Sequence, residues 1–352
     1  MDLTDVRDKI NRIDYEIVKL LNERLELSVR TKRLKRRVVD RDREGEVMQN
    51  ISRFSHGLVE KEFTKKLFLQ VIAESRRLQG LDLKLVGFQG EHGANCDLAI
   101  QTYDDQLIPI PCRQFVDVLE GVERGKFEMG VLPLENSLEG AVTEVNDLLI
   151  YSETDVKIVA EIRLPVNHCL LVTPDTDYRE IKLVYSHPQA LAQCRGFLQR
   201  NKLEARPFYD TAGAAKMLSI SRPKAAAAIA SSLCAELYNL QVIKENIEDE
   251  PTNITRFIVI AKTSDNGSGD KCSIIFSTKH EAGALFSVLK IFSDAKINLT
   301  RIESRPFRRD PGNYAFLMDF KGSTNDQKIL EILKQVKKKA ELYKFLGCYK
   351  EA

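Results

Sequence analysis

The chain has 352 residues, 43% hydrophobic and 30% charged, with a formal net charge of +2. That suffices for two or three globular domains and gives no whole-chain case for nucleic acid. No apolar run is long enough for a membrane span, the N-terminus reads as a charged helix rather than a signal peptide, five unclustered histidines argue against a metal site, and seven scattered cysteines without a Cys-x-x-Cys pair read as reduced thiols of a cytosolic protein.

Residues 1–80 contain no proline. Thr4, then Ile10, Ile13, Ile17, Leu20 and Leu21, predict a long amphipathic helix reaching about Lys35, with further helices over about Asp40–Phe54 and Val59–Leu78. So long a helix cannot bury its apolar face in so small a domain, so a helical dimer is expected. Arg24, Ser28, Thr31 and Lys35 fall on one stripe, and Arg24 sits among Leu20, Leu21 and Leu27, where a cation needs an anionic partner.

From Lys84 the pattern becomes α/β. Lys84–Phe88 reads as a strand running into the Gly-rich loop Gly87–Ala94, whose spacing meets neither the dinucleotide nor the Walker pattern. The apolar run Phe127–Leu134 is followed by Glu135-Asn136-Ser137 and a helical stripe beginning at Leu138, predicting a strand that turns directly into a helix, where Asn136 and Ser137 read either as plain helix caps, the favoured reading for this junction alone, or as part of an anion site at unpartnered N–H groups. The same strand–cap–helix unit recurs at Ser186-His187-Pro188-Gln189, Asp210-Thr211 and Ser231-Ser232. Repetition implies a doubly wound sheet with helix N-termini around one cleft, suited to a small substrate with more than one carboxylate. Residues 263–270 form a polar linker, and the order βαββαβ beyond it is ferredoxin-like.

At Arg7, Arg24, Lys35, Asp40, Glu44, Ser75 and Gln79 the helical segment resembles the mutase domain that heads the bifunctional chorismate mutase–prephenate dehydratases. The resemblance implies that Arg24 and Lys35 bind substrate carboxylates, that Lys35 and Gln79 donate to the ether oxygen, that Glu44 and the region of Asp40 hold the ring hydroxyl, and that Ser75 lines the pocket. Arg7 lies 17 residues before Arg24, about 25 Å along a helix, so it serves the pocket of a partner subunit.

Residues 83–262 resemble prephenate dehydratase through Leu132-Pro133-Leu134-Glu135-Asn136-Ser137, Glu161-Ile162-Arg163-Leu164-Pro165-Val166-Asn167-His168-Cys169, Ser186-His187-Pro188-Gln189, Thr211-Ala212-Gly213-Ala214-Ala215 and Asn253-Ile254-Thr255-Arg256-Phe257. The implied fold is two α/β lobes, like a periplasmic binding protein, with Thr255 as the residue on which activity depends and Glu135, Asn136, Ser186, Gln189, Gln193 and Arg256 around the substrate. His187, before a proline in a helix-entry turn, reads rather as a structural cap, while Arg256 is equally suited to a carboxylate or to solvent. Residues 271–352 resemble a regulatory ACT domain through Gly283-Ala284-Leu285-Phe286 and Glu303-Ser304-Arg305-Pro306, which implies phenylalanine as effector. The expected enzyme converts chorismate to prephenate and prephenate to phenylpyruvate without metal or cofactor.

Overall fold

A computed structural model describes residues 2–34, 39–174, 176–263, 269–307 and 312–352. The chain forms two compact units, one ending at Lys84 and the other beginning at Leu85.

The first unit is three helices: α1 (Leu3–Thr31), α2 (Arg41–Phe54) and α3 (Lys61–Gly80). α1 starts one residue before Thr4, at Leu3, because Asp2 and Asp5 close a reciprocal capping box. It ends at Thr31 in a turn over residues 32–34, short of the expected Lys35, which lies outside the described residues. Asp40 caps α2 by accepting from Arg43 N. α3 packs on both other helices, and burial is confined to Val29 on α1 and to Val71, Ile72, Ser75 and Gln79 on α3. Ile10, Ile13, Ile17 and Leu20 of α1 are each about half exposed, an uncovered apolar stripe.

In the second unit the chain enters one lobe through β1 (Leu85–Gln89), α4 (Asn95–Tyr103), β2 (Ile108–Cys112), α5 (Phe115–Glu123), β3 (Met129–Asn136), β4 (Gly140–Ala141), α6 (Thr143–Tyr151) and β5 (Lys157–Pro165). It crosses to a second lobe made of β6 (Cys169–Val172), β7 (Leu183–Ser186), α7 (Pro188–Gln193), α8 (Arg195–Arg200), β8 (Glu204–Pro207), α9 (Thr211–Ser221), β9 (Ala226–Ala230), α10 (Ser232–Tyr238) and β10 (Gln241–Lys244). It then returns as β11 (Ile254–Ala261). The two crossing segments run side by side, tied by Val166 N to Asn253 O at 2.8 Å and Ile247 N to His168 O at 3.1 Å.

The sheets have the orders β2-β1-β3-β11-β5, with β4 on β3, and β10-β6-β9-β7-β8. Both are mixed rather than purely parallel. The returning β11 pairs antiparallel with β3 and β5, and β6 and β10 are likewise antiparallel to their neighbours. The expected strand–helix junction after Leu134 is corrected. Asn136 Oδ1 accepts from Leu138 N and Glu139 N, and Gly140, at φ 79°, reverses the chain so that β4 pairs back on β3. The helix begins only at Thr143, so neither a helix cap nor an anion site forms at Ser137.

The C-terminal part is β12 (Lys271–Ser277), α11 (Ala284–Asp294), β13 (Leu299–Pro306), β14 (Tyr314–Lys321), α12 (Gln327–Lys339) and β15 (Tyr343–Tyr349), a four-stranded sheet ordered β13-β14-β12-β15 with two helices on one face. This is the predicted βαββαβ fold. It sits directly on the first lobe. Lys344 Nζ caps the end of α6 through the carbonyls of Leu149, Ile150 and Ser152. Gly347 lies so close to β5 that a Cβ there would stand 2.2 Å from Ile158 O.

Candidate active site

Between the two lobes lies a cavity of about 410 Å³ lined by Gln89, Asn95, Asn136, His168, His187, Gln189, Gln193, Asp210, Thr211, Asn253 and Thr255, with Phe115, Pro133, Val166 and Phe257 as its apolar wall. The ends of β3 and β11 form its floor, where Thr255 pairs with Asn136 in the ladder. Asn136 Nδ2 donates to Thr255 Oγ1 at 2.9 Å and to Asn253 Oδ1 at 2.6 Å. A hydroxyl that accepts in this way keeps its own hydrogen for another acceptor, and no described residue takes it. The amide chain continues from Asn253 Nδ2 to Gln193 Oε1, which also meets His168 Nε2 at 2.8 Å, while Gln193 Nε2 donates to Glu139. His168 is buried, and desolvation holds its pKa below the ordinary value.

No lysine or arginine lines this cavity among the described residues. The starts of α4, α7 and α9 converge on it instead, bringing backbone N–H groups and positive dipole ends. His187 Nδ1 accepts from Gln189 N, so this residue caps α7 as the sequence suggested. Asp210 caps α9 through Gly213 N at 2.7 Å, and burial raises its carboxyl above the usual range.

Gln189, Gln193, Asn136 and Thr255 are thus brought together, and three expected residues are not. Ser186 is fully buried behind the wall, donating to Ile229 O at 2.6 Å, so its hydroxyl serves the sheet. Glu135 and Arg256 point away from the cavity because side chains alternate across a sheet, and their neighbours Asn136 and Thr255 already occupy the cavity face. Arg256 faces neither substrate nor solvent. Its side chain is 5% exposed and bonds Glu161, Asp319 and the Tyr349 hydroxyl. Asn95 is a cavity residue outside every quoted motif; Asp210 was read only as part of a strand–cap–helix junction, and His168 and Asn253 lay inside quoted motifs without being candidates, Asn253 two residues before Thr255, a spacing that puts both on one face of a strand.

In the helical unit, Arg24 Nη1 donates to Ser75 Oγ at 2.8 Å, and Gln79 Nε2 lies within bonding distance of Ser28 Oγ, Ser28 O and Thr31 Oγ1. Arg24, Ser28, Thr31, Ser75 and Gln79 therefore meet where α1 crosses α3. The anionic partner expected for Arg24 is absent among the described residues; partial burial lowers its pKa, so its charge faces Ser75 without a carboxylate. Gln79's amide donors are turned to α1 rather than left open. Glu44 is bound by Arg76 on α3, Nε to Oε1 at 2.8 Å, Asp40 remains at its cap, and Arg7 is exposed on α1. In the C-terminal domain, Gly283 caps α11 with φ 82°, Leu285 of the first turn, next to Ala284, packs on the domain core, and Ser304 is exposed on the edge strand β13. Glu303 and Arg305 face the first lobe, where Arg305 Nε meets Asp147 at 2.8 Å.

A family model for chorismate mutase type II matches residues 6–80, one for prephenate dehydratase residues 86–265, and one for the ACT domain residues 273–338. The chain is 34% identical over 361 residues to the bifunctional chorismate mutase/prephenate dehydratase of Aquifex aeolicus, covering 100% of this chain and 98% of that one. The chain belongs to the bifunctional chorismate mutase/prephenate dehydratases. Among solved structures, the prephenate dehydratase of Arthrobacter aurescens in complex with L-Phe matches with a TM-score of 0.70 at 28% identity, covering 76% of this chain and 90% of that one. GqqA, described as a quorum-quenching acylase, matches with a TM-score of 0.71 at 32% identity, covering 76% and 98%. As a member of this family the chain carries a chorismate mutase in its helical unit and a prephenate dehydratase in its two lobes. No described helix is long and apolar enough to cross a membrane.

Proposed function

We propose that the dehydratase reaction runs in the cavity between the lobes, with Thr255 as hydrogen-bond donor to the departing ring hydroxyl. The ring-to-carboxylate bond of prephenate breaks, its electron pair becomes the new ring π bond, and hydroxide and carbon dioxide leave. Negative charge thus moves from a carboxylate to an oxygen, and the catalyst must receive it where it arrives. The observation that carries this reading is the Asn136–Thr255 bond, which fixes the hydroxyl and leaves its hydrogen to donate. Gln189, Gln193 and Asn253, with the α4 and α7 starts, supply neutral donors for the carboxylates, and the cation-free wall does not favour keeping charge on the carboxylate that leaves.

In the helical unit the reading is that Arg24 and Lys35 take the carboxylates of chorismate, Ser75 lines the pocket, Gln79 rotates its amide toward the ether oxygen, and Glu44 with Asp40 holds the ring hydroxyl. The rearrangement is concerted, so fixed donors acting on one compact conformer suffice. Arg7 and the uncovered stripe of α1 support a homodimer, or higher homo-oligomer, in which each subunit completes the other's pocket. L-phenylalanine, bound around Gly283–Leu285 and Glu303–Arg305, inhibits the dehydratase. These functions divide over 1–80, 83–262 and 271–352, in a cytoplasmic enzyme. One assay tests the whole: supply chorismate, follow its loss and the appearance of phenylpyruvate, then add phenylalanine. Acylase activity without phenylpyruvate formation would replace this reading with that of the acylase relative.

A further inference from the structure

The cavity floor is a plate of four residues, Glu135-Asn136 on β3 and Thr255-Arg256 on β11. Directly behind it the ladder breaks. Arg256 pairs with Glu135 but Phe257 pairs with Pro133, so Leu134 is bulged out, while Thr255 and Arg256 stay in register with Leu164 and Arg163 of β5 and Glu135 and Asn136 pair with β4. The backbone beyond the bulge is held by β4 and β5, and the side chain of Glu135, on the face away from the cavity, is held from the ACT side. Glu135 is gripped by two guanidinium groups, Arg301 Nε at Oε2 (3.0 Å) and Arg256 Nη1 at Oε1 (3.3 Å).

Arg301 belongs to β13, three residues before Ser304. It also donates from Nη2 to Asn146 Oδ1 of α6 at 2.8 Å, and only 7% of its side chain is exposed. By strand alternation Arg301, Glu303 and Arg305 share the face turned to β3 and α6, while Ile302 and Ser304 are exposed on the other. Tyr151 of α6 completes the grip by donating to Pro306 O at 2.6 Å and stacking on Phe307. The opposite end of α6 reaches the cavity through Val142 and Glu144. One strand of the ACT sheet therefore holds both the plate that carries Thr255 and the helix beside it.

We propose that Arg301 is a positioning residue of the dehydratase site: by fixing Glu135 it sets how Asn136 presents Thr255 to the cavity, and through it the ACT sheet governs dehydratase turnover. This rests on the reading of Thr255 and Asn136 given above. A guanidinium is suited to the role because its planar fork bonds Glu135 and Asn146 in one fixed mutual geometry, which a flexible lysine ammonium holds less rigidly.

The test uses the full chain and four variants: Arg301→Met, Arg301→Lys, the double variant Glu135→Gln/Arg301→Met, and Thr255→Ala. Dehydratase kcat and KM are measured with and without phenylalanine, phenylalanine binding by calorimetry, and chorismate mutase turnover as the control for intact protein. Arg301→Met is expected to lower kcat roughly tenfold or more with KM little changed, as a small misplacement of a reacting group does. Phenylalanine should still bind yet no longer inhibit, and Arg301→Lys should recover part of both. The double variant strands no carboxylate and should show the same kcat loss even if the single variant folds poorly. Wild-type kcat and inhibition in Arg301→Met or in the double variant overturn the proposal. A Thr255→Ala enzyme with undiminished turnover overturns the site reading itself, so the two failures are separable.

Discussion

Thr255 and Arg256 are consecutive residues of β11 whose side chains leave the sheet on opposite faces, one toward the cavity and one into the ACT domain. Thr255 meets Asn136 at 2.9 Å, whereas Arg256 meets Glu161 and Asp319, each at 2.7 Å. A single peptide thus joins the proposed chemistry to the regulatory sheet.

Removing the Thr255 hydroxyl while keeping its shape tests the first half of that pair. Thr255→Val is expected to cost about 10²–10³ in dehydratase kcat, the usual loss for one positioned donor. Asn136→Ala should fall in the same direction, since it frees the Thr255 side chain. Mutase turnover of both variants, measured on chorismate, should match wild type.

Arg256 tests the second half. Burial alone would pull its pKa down, but Asp319, Tyr349 and Glu161 more than reverse this, so the guanidinium stays charged. Arg256→Leu leaves the buried carboxylate of Asp319 without its cation and Glu161 held by Lys271, and should destabilise the second unit by about 3–5 kcal/mol. Urea unfolding of the full chain reads this as a lower midpoint for that unit. An unchanged midpoint would count against the buried ion network.

His168 gives a pH dependence with a defined sign. Its folded pKa is depressed by desolvation from the ordinary 6.5, so the fold favours the neutral ring. The stability it contributes is complete above pH 6.5 and declines as pH falls below that value. His168→Gln should therefore lose less stability than wild type between pH 7 and pH 5, as followed by unfolding midpoints at each pH. A steeper loss in the variant would contradict the assignment.

Arg24 faces Ser75 without a carboxylate, an arrangement suited to capturing an anion. Arg24→Ala should lower mutase kcat/KM at least about a hundredfold, because a charge-assisted contact in a partly dry cleft is lost. Prephenate turnover by the same variant should be unaltered. Parallel assays on chorismate and prephenate check both parts.

Much of this architecture was legible from residues alone because the periodicities are clean: 3.6 in the first 80 residues, then strands alternating with helices, then βαββαβ. The junction after Leu134 misled because Leu138, Ala141 and Val142 have helical spacing, while the Asx turn at Asn136 and the reversal at Gly140 are local hydrogen-bond events that periodicity does not record. Within the site, adjacency was the trap. In each of the pairs Glu135-Asn136 and Thr255-Arg256 only one residue can face the cavity, and Thr255's companion on that face is Asn253, two residues earlier. Which face was which depended on the ACT domain covering the back of the sheet, a tertiary fact with no local signature. His168 lay inside a matched motif, but its place at the cavity appears only once the chain returns as β11.

Gly347 bears on how such enzymes can be recombined. With Ile158 O only 2.2 Å from where a methyl would sit, β15 and β5 are fitted backbone to backbone. The regulatory part is therefore no interchangeable cassette. A graft from a relative bearing any other residue at this position would be pried off its seat, and a working chimera would have to carry glycine here together with matching charges opposite Arg256.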